Sequence, residues 1–142
     1  MTYPNGRKSL VSIALVAMLV ASATGCGSSD NLNTCSVQGT VTLDGTPVEA
    51  GKIMFSPTGG TTGPASVTTI VDGKYSKTAA DHGPVVGKHT VRIEAFRDRG
   101  NKNSDGTPNQ EQVVPAKYNQ QTILVVDVAK GNNRHDFDPK SK

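Results

Sequence analysis

The 142-residue sequence has no tryptophan, only three tyrosines and three phenylalanines, and only two cysteines. Two cysteines allow at most one disulfide bond, which excludes a disulfide-rich scaffold. Val and Thr are plentiful, and 15 glycines and 8 prolines are spread along the chain. Since β-branched residues suit strands and Gly and Pro mark turns, this composition favours short strands with frequent reversals. The sequence therefore predicts an all-β sandwich or barrel.

The sequence also lacks a long run of charge of either sign. Its net charge of +3 depends largely on Arg7 and Lys8, which lie near the N-terminus. The remaining lysines and arginines are scattered among acidic residues, so we predict no nucleic-acid partner. No histidine stands at ligand spacing beside either cysteine, and we predict no metal site and no cofactor.

No apolar run is long enough to cross a bilayer as a helix. The run Leu10–Ala23 has 14 residues, whereas a spanning helix needs about 20. It follows the basic Arg7 and Lys8 and ends in small residues, which is the plan of a secretory signal peptide. We therefore predict that residues 1–25 are a signal peptide and that the protein is exported.

Two cleavage sites compete at the end of this signal peptide. Residues 23–26 (Ala-Thr-Gly-Cys) resemble the lipobox of bacterial lipoproteins, and the resemblance implies that Cys26 is lipid-modified and becomes the mature N-terminus. The alternative is cleavage after residues 21–23 (Ala-Ser-Ala), which would leave Cys26 able to pair with Cys35. We predict lipidation, which anchors the protein in a membrane facing the periplasm. The outer membrane is favoured, because Gly27 is not the Asp that retains many lipoproteins in the inner membrane.

Alternating apolar and polar residues predict strands over the rest of the chain. In residues 36–43 and 88–96, apolar side chains recur at every second position, which is the period of a half-buried strand. Asp44-Gly45 and Asp72-Gly73 predict tight turns, because Gly tolerates positive φ and Asp can bond the local backbone. We expect about seven strands, which fall within residues 36–43, 47–55, 65–71, 74–76, 88–96, 122–128 and 134–138.

The predicted domain extends over residues 36–139. A flexible tether of residues 26–35 precedes it, and a short tail of residues 140–142 follows. Within the domain, the polar segment Arg97–Gln112 predicts a flexible surface loop. The nearly continuous apolar run Thr122–Val128 predicts a central strand.

Four stretches of the chain resemble the carboxypeptidase-regulatory-like domains, also described as transthyretin-like or prealbumin-like. They are residues 37–48, 69–75, 84–93 and 115–118. The resemblance implies a seven-stranded, Greek-key-type β-sandwich of transthyretin-like or Ig-like form, in a group whose members are mostly accessory or adhesive. One enzymatic branch hydrolyses 5-hydroxyisourate and ends in Tyr-Arg-Gly-Ser. This chain ends in Asp-Pro-Lys-Ser-Lys, so the resemblance implies a member that is not an enzyme.

Few residues of the domain are candidates for chemistry. His82, His89 and His135 have no partner at a spacing that indicates catalysis, and we predict structural or solvated roles for them. Tyr75 and Tyr118 are weak candidates for ligand contact, because an exposed tyrosine can stack on a sugar ring. The interpretation that we favour is that each packs over a sheet edge with its hydroxyl on a backbone carbonyl.

The sequence therefore predicts a non-enzymatic, lipid-anchored binding or structural module of the cell envelope. Its expected partners are the membrane, through the N-terminal lipid, and an envelope protein or a glycan. One alternative is a carbohydrate-binding module, which would require an exposed aromatic pair. The other is a transthyretin-like hydrolase, which would require a histidine clustered with polar partners in a cleft.

Overall fold

The computed structural model describes residues 32–142. The predicted signal peptide, the lipidation site Cys26 and residues 26–31 of the predicted tether lie outside the described residues. None of the helical structure in residues 32–142 could span a membrane. Those residues form ten strands and one short 3-10 turn, Ala116–Tyr118. The strands are β1 (Ser36–Thr40), β2 (Thr42–Leu43), β3 (Thr46–Pro47), β4 (Ala50–Pro57), β5 (Ser66–Val71), β6 (Lys74–Lys77), β7 (Gly87–Lys102), β8 (Pro108–Gln112), β9 (Val125–Val128) and β10 (Asn132–Arg134).

Eight strands form one mixed sheet, and the predicted all-β class is confirmed. The strand order is β10-β1-β6-β5-β4-β7-β8, with β9 also paired to β7, while β2 and β3 form a separate ribbon. Strand β10 runs parallel to β1, and the other neighbours are antiparallel. Buried side chains from β1 and β6 share one core cluster with those from β4 and β7. The sheet therefore packs its two halves on each other in the manner of a β-sandwich.

Strand β7 follows the alternation that the sequence predicts. Val91, Ile93 and Ala95 are fully buried in the core. Arg92 and Glu94 point to the opposite face, where their side chains form a 2.7 Å ion pair. Because side chains alternate across a strand, this pattern gives the sandwich one apolar and one wet face along β7.

The two Asp-Gly turns are also confirmed. Asp44 and Gly45 have φ values of 51° and 82°, and Asp72 and Gly73 have values of 49° and 72°. Positive φ at both central residues is the geometry of a type I′ turn, which matches the right-handed twist of the strands it joins.

The strand number is larger than the predicted seven because two predicted segments are interrupted and because β8 lies within the segment predicted to be a loop. Val41 separates β1 from β2: its amide donates to the Gly73 carbonyl at 2.8 Å, and it forms an isolated bridge with Phe137. Residues 48–49 similarly separate the β3 ribbon from β4. These interruptions let the chain pass from the ribbon into the main sheet.

The prediction of a flexible loop at Arg97–Gln112 is wrong. Strand β7 continues to Lys102 and pairs with β8, so this segment is a β-hairpin that extends from the sheet. Nearly all of its side chains are exposed on both faces. A hairpin without a buried face carries no apolar alternation, and the sequence therefore has the composition of a loop.

The prediction of a central strand at Thr122–Val128 is also wrong. Only Val125–Val128 is a strand, and it pairs with β7 alone. Ile123 and Val125 are 68% and 52% exposed. Strands β8 and β9 pair with different parts of β7, on the same side of that strand. Residues 113–124 connect them outside the sheet, and the apolar run therefore lies at its edge.

Residues just before the predicted boundary at Ser36 already pack with the domain. The Val86 amide donates to the Asn33 carbonyl at 3.0 Å, and the Cys35 amide donates to the Pro84 carbonyl at 2.8 Å. Cys35 is only 2% exposed and belongs to the core cluster. The end of the predicted tether is therefore part of the domain.

Candidate functional site

A groove opens on the outer face of the sheet where β5 and β6 diverge. The ladder between these strands has a single register pair, Val71↔Lys74, next to the Asp72-Gly73 turn. Farther from the turn, the Thr68 hydroxyl, instead of a backbone amide, donates to the Ser76 carbonyl at 2.9 Å. This side-chain bridge keeps the strands connected but leaves room between them on the outer side.

The hydrogen-bond register shows which backbone groups face the groove. The Asp72 amide donates to the Glu49 carbonyl at 3.0 Å, just before β4. Because the backbone groups of successive residues point alternately to the two neighbouring strands, those of Val67 and Thr69 point away from β4 and towards β6. The Val41 amide donates to the Gly73 carbonyl, which by the same alternation directs the backbone of Ser76 towards β5. The gap between the two strands is therefore lined by polar backbone as well as by side chains.

The side chains that line the groove are mostly polar. The cavity has a volume of about 490 Å³, within the range of roughly 300–1,000 Å³ usual for small-molecule sites. Val71 is the exposed apolar side chain among its walls, with 60% exposure. The polar side chains on its walls include those of Gln38, Thr40, Thr69, Lys74, Ser76 and Arg134.

The sheet register places two cations on opposite sides of β1. Thr40 pairs with Lys74 on β6, and Gln38 pairs with Arg134 on β10. Two strand spacings separate β6 from β10, and their partners Gln38 and Thr40 lie two residues apart along β1. The stems of Lys74 and Arg134 therefore start about 12 Å apart. Hydroxyl and amide groups of β1 lie between them, and none of the described residues that line the groove is acidic.

Arg134 is already held by one carboxylate beside the groove. Its Nε and Nη2 donate to Oδ2 and Oδ1 of Asp136 at 3.1 and 3.3 Å. The Oδ1 atom also accepts bonds from the amide and hydroxyl of Thr40, both at 2.8 Å. The Thr40 bonds, and then Arg134, hold the pKa of Asp136 below its ordinary value. Lys74 forms no ion pair with any residue of 32–142, so its charge is open to a ligand.

Tyr75 forms part of the groove floor but is not an exposed platform. It is 4% exposed, and its hydroxyl donates to the His135 carbonyl at 2.7 Å. Burial, with a smaller effect of Asp136, raises the pKa of this hydroxyl, so it remains a donor. The predicted bond from the Tyr75 hydroxyl to a backbone carbonyl is confirmed, but the ring lies in the core on the interior strand β6 and not over a sheet edge. The buried ring is not available to stack on a sugar.

Tyr118 lies elsewhere, in the 3-10 turn between β8 and β9. It is half-buried, and Lys117 Nζ lies 5.2 Å from the centre of its ring. Tyr118 does not line the groove beside Tyr75. The fold therefore does not unite the two tyrosines into the aromatic pair that the alternative of a carbohydrate-binding module required.

The three histidines have three different surroundings. His82 is an exposed turn residue whose carbonyl accepts the Ser66 hydroxyl at 2.8 Å. His89 is fully buried, and its Nδ1 donates to the Gly87 carbonyl at 3.0 Å. His135 is half-buried beside Phe137. Residues 32–142 contain no group of three His, Cys, Asp or Glu side chains placed to hold a metal ion.

His135 should make the stability of the domain depend on pH. Burial lowers its pKa below the ordinary value of 6.5, against a smaller opposing effect of Asp136. The unfolded chain then binds a proton more readily, so the stabilisation is complete above the unfolded pKa and is lost as pH falls through the folded pKa. We expect the midpoint of thermal unfolding, measured by circular dichroism, to fall between about pH 7.5 and about pH 5, and to fall less in His135→Gln.

The exposed His82 supplies the control for this measurement. His82 has a φ of 60°, and asparagine tolerates that conformation. His82→Asn should therefore keep the full pH dependence of the wild type. A His135→Gln protein with the same pH dependence as the wild type would contradict the assignment.

No protein-family model and no curated protein matches the sequence. The resemblance to carboxypeptidase-regulatory-like domains therefore stays a prediction from the sequence. The groove was not among the predicted sites. Its signal in the sequence was weak: Gln38, Thr40, Lys74 and Ser76 occupy the outward positions of two strands, which are polar in most half-buried sheets.

Proposed function

We propose that this protein is an exported lipoprotein whose lipid-modified Cys26 anchors a non-enzymatic binding domain to the cell envelope. The β5–β6 groove is the surface that the anchored domain presents to its ligand. The anchor sets the place of action, because the nine residues from Cys26 to Cys35 reach at most about 30 Å when fully extended. The domain therefore works close to the membrane surface, which we propose is the outer membrane.

The observation that supports this proposal best is the position of Cys35. Its thiol lies in the core at 2% exposure, and its amide is bonded to Pro84. A disulfide bond to Cys26 would have to bring that residue against the packed core position or draw Cys35 out of it, at the cost of the apolar contacts Cys35 makes. Lipidation makes no such demand, because it uses Cys26 alone.

Mass spectrometry of the mature N-terminus, on protein from fractionated cells, tests the anchor. We expect a membrane-bound protein that begins at Cys26 and carries the mass of a diacylglyceryl group. Cys26→Ala should remove both the lipid mass and the membrane location. Cys35→Ala is the matched control: it removes a core thiol and should leave acylation unchanged.

Cleavage after Ala23, the alternative to lipidation, predicts a different N-terminal mass and places the protein in the soluble cell fraction. A soluble protein that begins at Thr24, with Cys26 joined to Cys35, would overturn the proposal. Labelling the thiols before and after reduction distinguishes that product from the acylated one, since only the acylated protein keeps a single free thiol at Cys35.

A further inference from the structure

We propose that the β5–β6 groove binds an acidic oligosaccharide, with a carboxylate of the sugar held by Lys74 and Arg134. This inference rests on the proposed function, because it names the ligand of the anchored domain. Its support is the arrangement of charge and hydrogen-bonding groups in the groove. The tyrosine pair that the sequence suggested for sugar stacking has no part in it.

The charges of the groove favour an anionic ligand. Lys74 and Arg134 both line the groove, and no acidic side chain among the described residues lines it with them. Lys74 has no ion-pair partner in residues 32–142, and the Arg134 side chain keeps 63% of its surface exposed beside Asp136. An anion in the groove therefore meets one unpaired ammonium and the guanidinium donors that Asp136 leaves free, and both kinds of donor suit a carboxylate.

The groups between the two cations favour a sugar as the carrier of that carboxylate. Gln38, Thr40, Thr69 and Ser76 bring amide and hydroxyl groups to the walls. Such groups can both donate and accept, as the hydroxyls of a sugar also do. Because the groove opens on the sheet surface, it can bind part of a ligand that is longer than the groove, such as an oligosaccharide.

A peptide strand fits the groove less well. Peptides that add to a sheet need a free strand edge, with pockets for alternate side chains. Here the Thr68 hydroxyl already occupies the Ser76 carbonyl and joins β5 to β6. The walls also offer no deep apolar pocket, since Val71 is an exposed residue at the surface. We therefore assign the groove to a glycan.

The test compares acidic oligosaccharides with their own neutral derivatives. The probes are oligogalacturonate, oligoglucuronate and oligomannuronate, each with its methyl ester, which keeps the sugar and removes the charge. The mature protein is purified from whichever cell fraction carries it, and binding is measured by calorimetry and by amide chemical shifts. A soluble, unacylated protein would thus contradict the proposed lipid anchor, and the binding measurement would still test the proposed ligand separately.

We expect at least one acid to bind and its ester to bind about tenfold more weakly, because hydrogen bonds to charged groups contribute about 1.5–3 kcal/mol. The shifted amides should include those of Thr40, Thr69 and Ser76. Lys74→Gln should weaken the acid several-fold and leave the ester unchanged, so that the acid keeps only the smaller advantage over its ester that Arg134 supplies. Binding of the acid should also weaken as salt is added.

Lys102→Gln is the control, since it removes the same charge from the exposed hairpin outside the groove. It should bind the acid as the wild type does. Failure of all three acids to bind, equal binding of acid and ester by the wild type, or amide shifts confined to other surfaces would each overturn the inference. Capture of an extended peptide at Thr69 and Ser76 in place of a sugar would also overturn it.

Discussion

Phe55→Ala should remove about 3–5 kcal/mol of the free energy of unfolding, the usual cost of truncating a buried phenylalanine to alanine. Phe55 is 1% exposed in the centre of the core. Domains of this size are stable by about 5–15 kcal/mol, so the variant should lie near the limit of folding. Urea denaturation followed by circular dichroism measures the loss as a lower midpoint with an unchanged slope.

The expected cost is high because Phe55 joins the two halves of the sandwich. Its ring centre lies 6.0 Å from that of Tyr75, which in turn lies 6.4 Å from that of Phe137. Three of the six Phe and Tyr residues of the chain therefore stand in one row. Tilted rings at such distances attract each other beyond the effect of burial alone. Because close-packed neighbours relax only partly into the space left by a truncated side chain, part of the cavity should remain.

Phe96→Ala is the matched control for this prediction. Phe96 lies on β7 at the outer end of the β4–β7 ladder, opposite Ala50, and is half-buried. The same chemical change there should cost about 1 kcal/mol, a typical value for substitution outside the core. Equal losses for Phe55→Ala and Phe96→Ala would show that the aromatic row does not hold the two halves together.

The elements that sequence patterns predict well are those whose signal is local. Burial of one face of β7 imposes a period of two, and Val91, Ile93 and Ala95 show it directly. The Asp72-Gly73 turn follows from the backbone preferences of its own two residues. By contrast, the β7–β8 hairpin has both faces in water, so its residues carry no alternation to detect.

The edge position of β9 and the groove depend on contacts that no local pattern contains. The apolar residues before β9 resemble a buried strand, yet residues 113–124 leave the sheet and place Ile123 at its edge. The groove requires the early end of the β5–β6 ladder. It also requires the parallel pairing of β1 with β10, which brings Arg134 across from Lys74. Such long-range registers decide which outward residues become neighbours.

Gly39→Ala should destabilise the domain by about 3 kcal/mol, the upper part of the usual range for overpacking a core. Gly39 is buried in β1, and a Cβ built there would lie 1.8 Å from the His135 carbonyl oxygen. The two neighbours of Gly39 hold the segment around His135 in place. The His135 amide donates to the Gln38 carbonyl, and the Phe137 amide donates to the Thr40 carbonyl. The C-terminal segment cannot move away from a methyl group without breaking these bonds.

A Gly39 position with room for a methyl group would give the opposite change in stability. Gly39 does not adopt positive φ, so alanine at a roomy position of this kind should stabilise the protein by about 0.4–1 kcal/mol, since it restricts the unfolded chain. An unchanged or higher urea midpoint for Gly39→Ala would therefore contradict the close approach. Gln38→Ala, at the exposed neighbouring position, should change stability by no more than about 0.5 kcal/mol.

A double-mutant cycle with Tyr75 tests where the damage of Gly39→Ala lies. The Tyr75 hydroxyl donates to the same His135 carbonyl, at 2.7 Å, so Tyr75→Phe should cost about 1 kcal/mol in the wild type. If the new methyl group displaces this carbonyl, the bond is already lost in Gly39→Ala, and Tyr75→Phe should then cost almost nothing. Full additivity of the two substitutions would mean that the carbonyl stays in place, and that the strain is relieved elsewhere along β1.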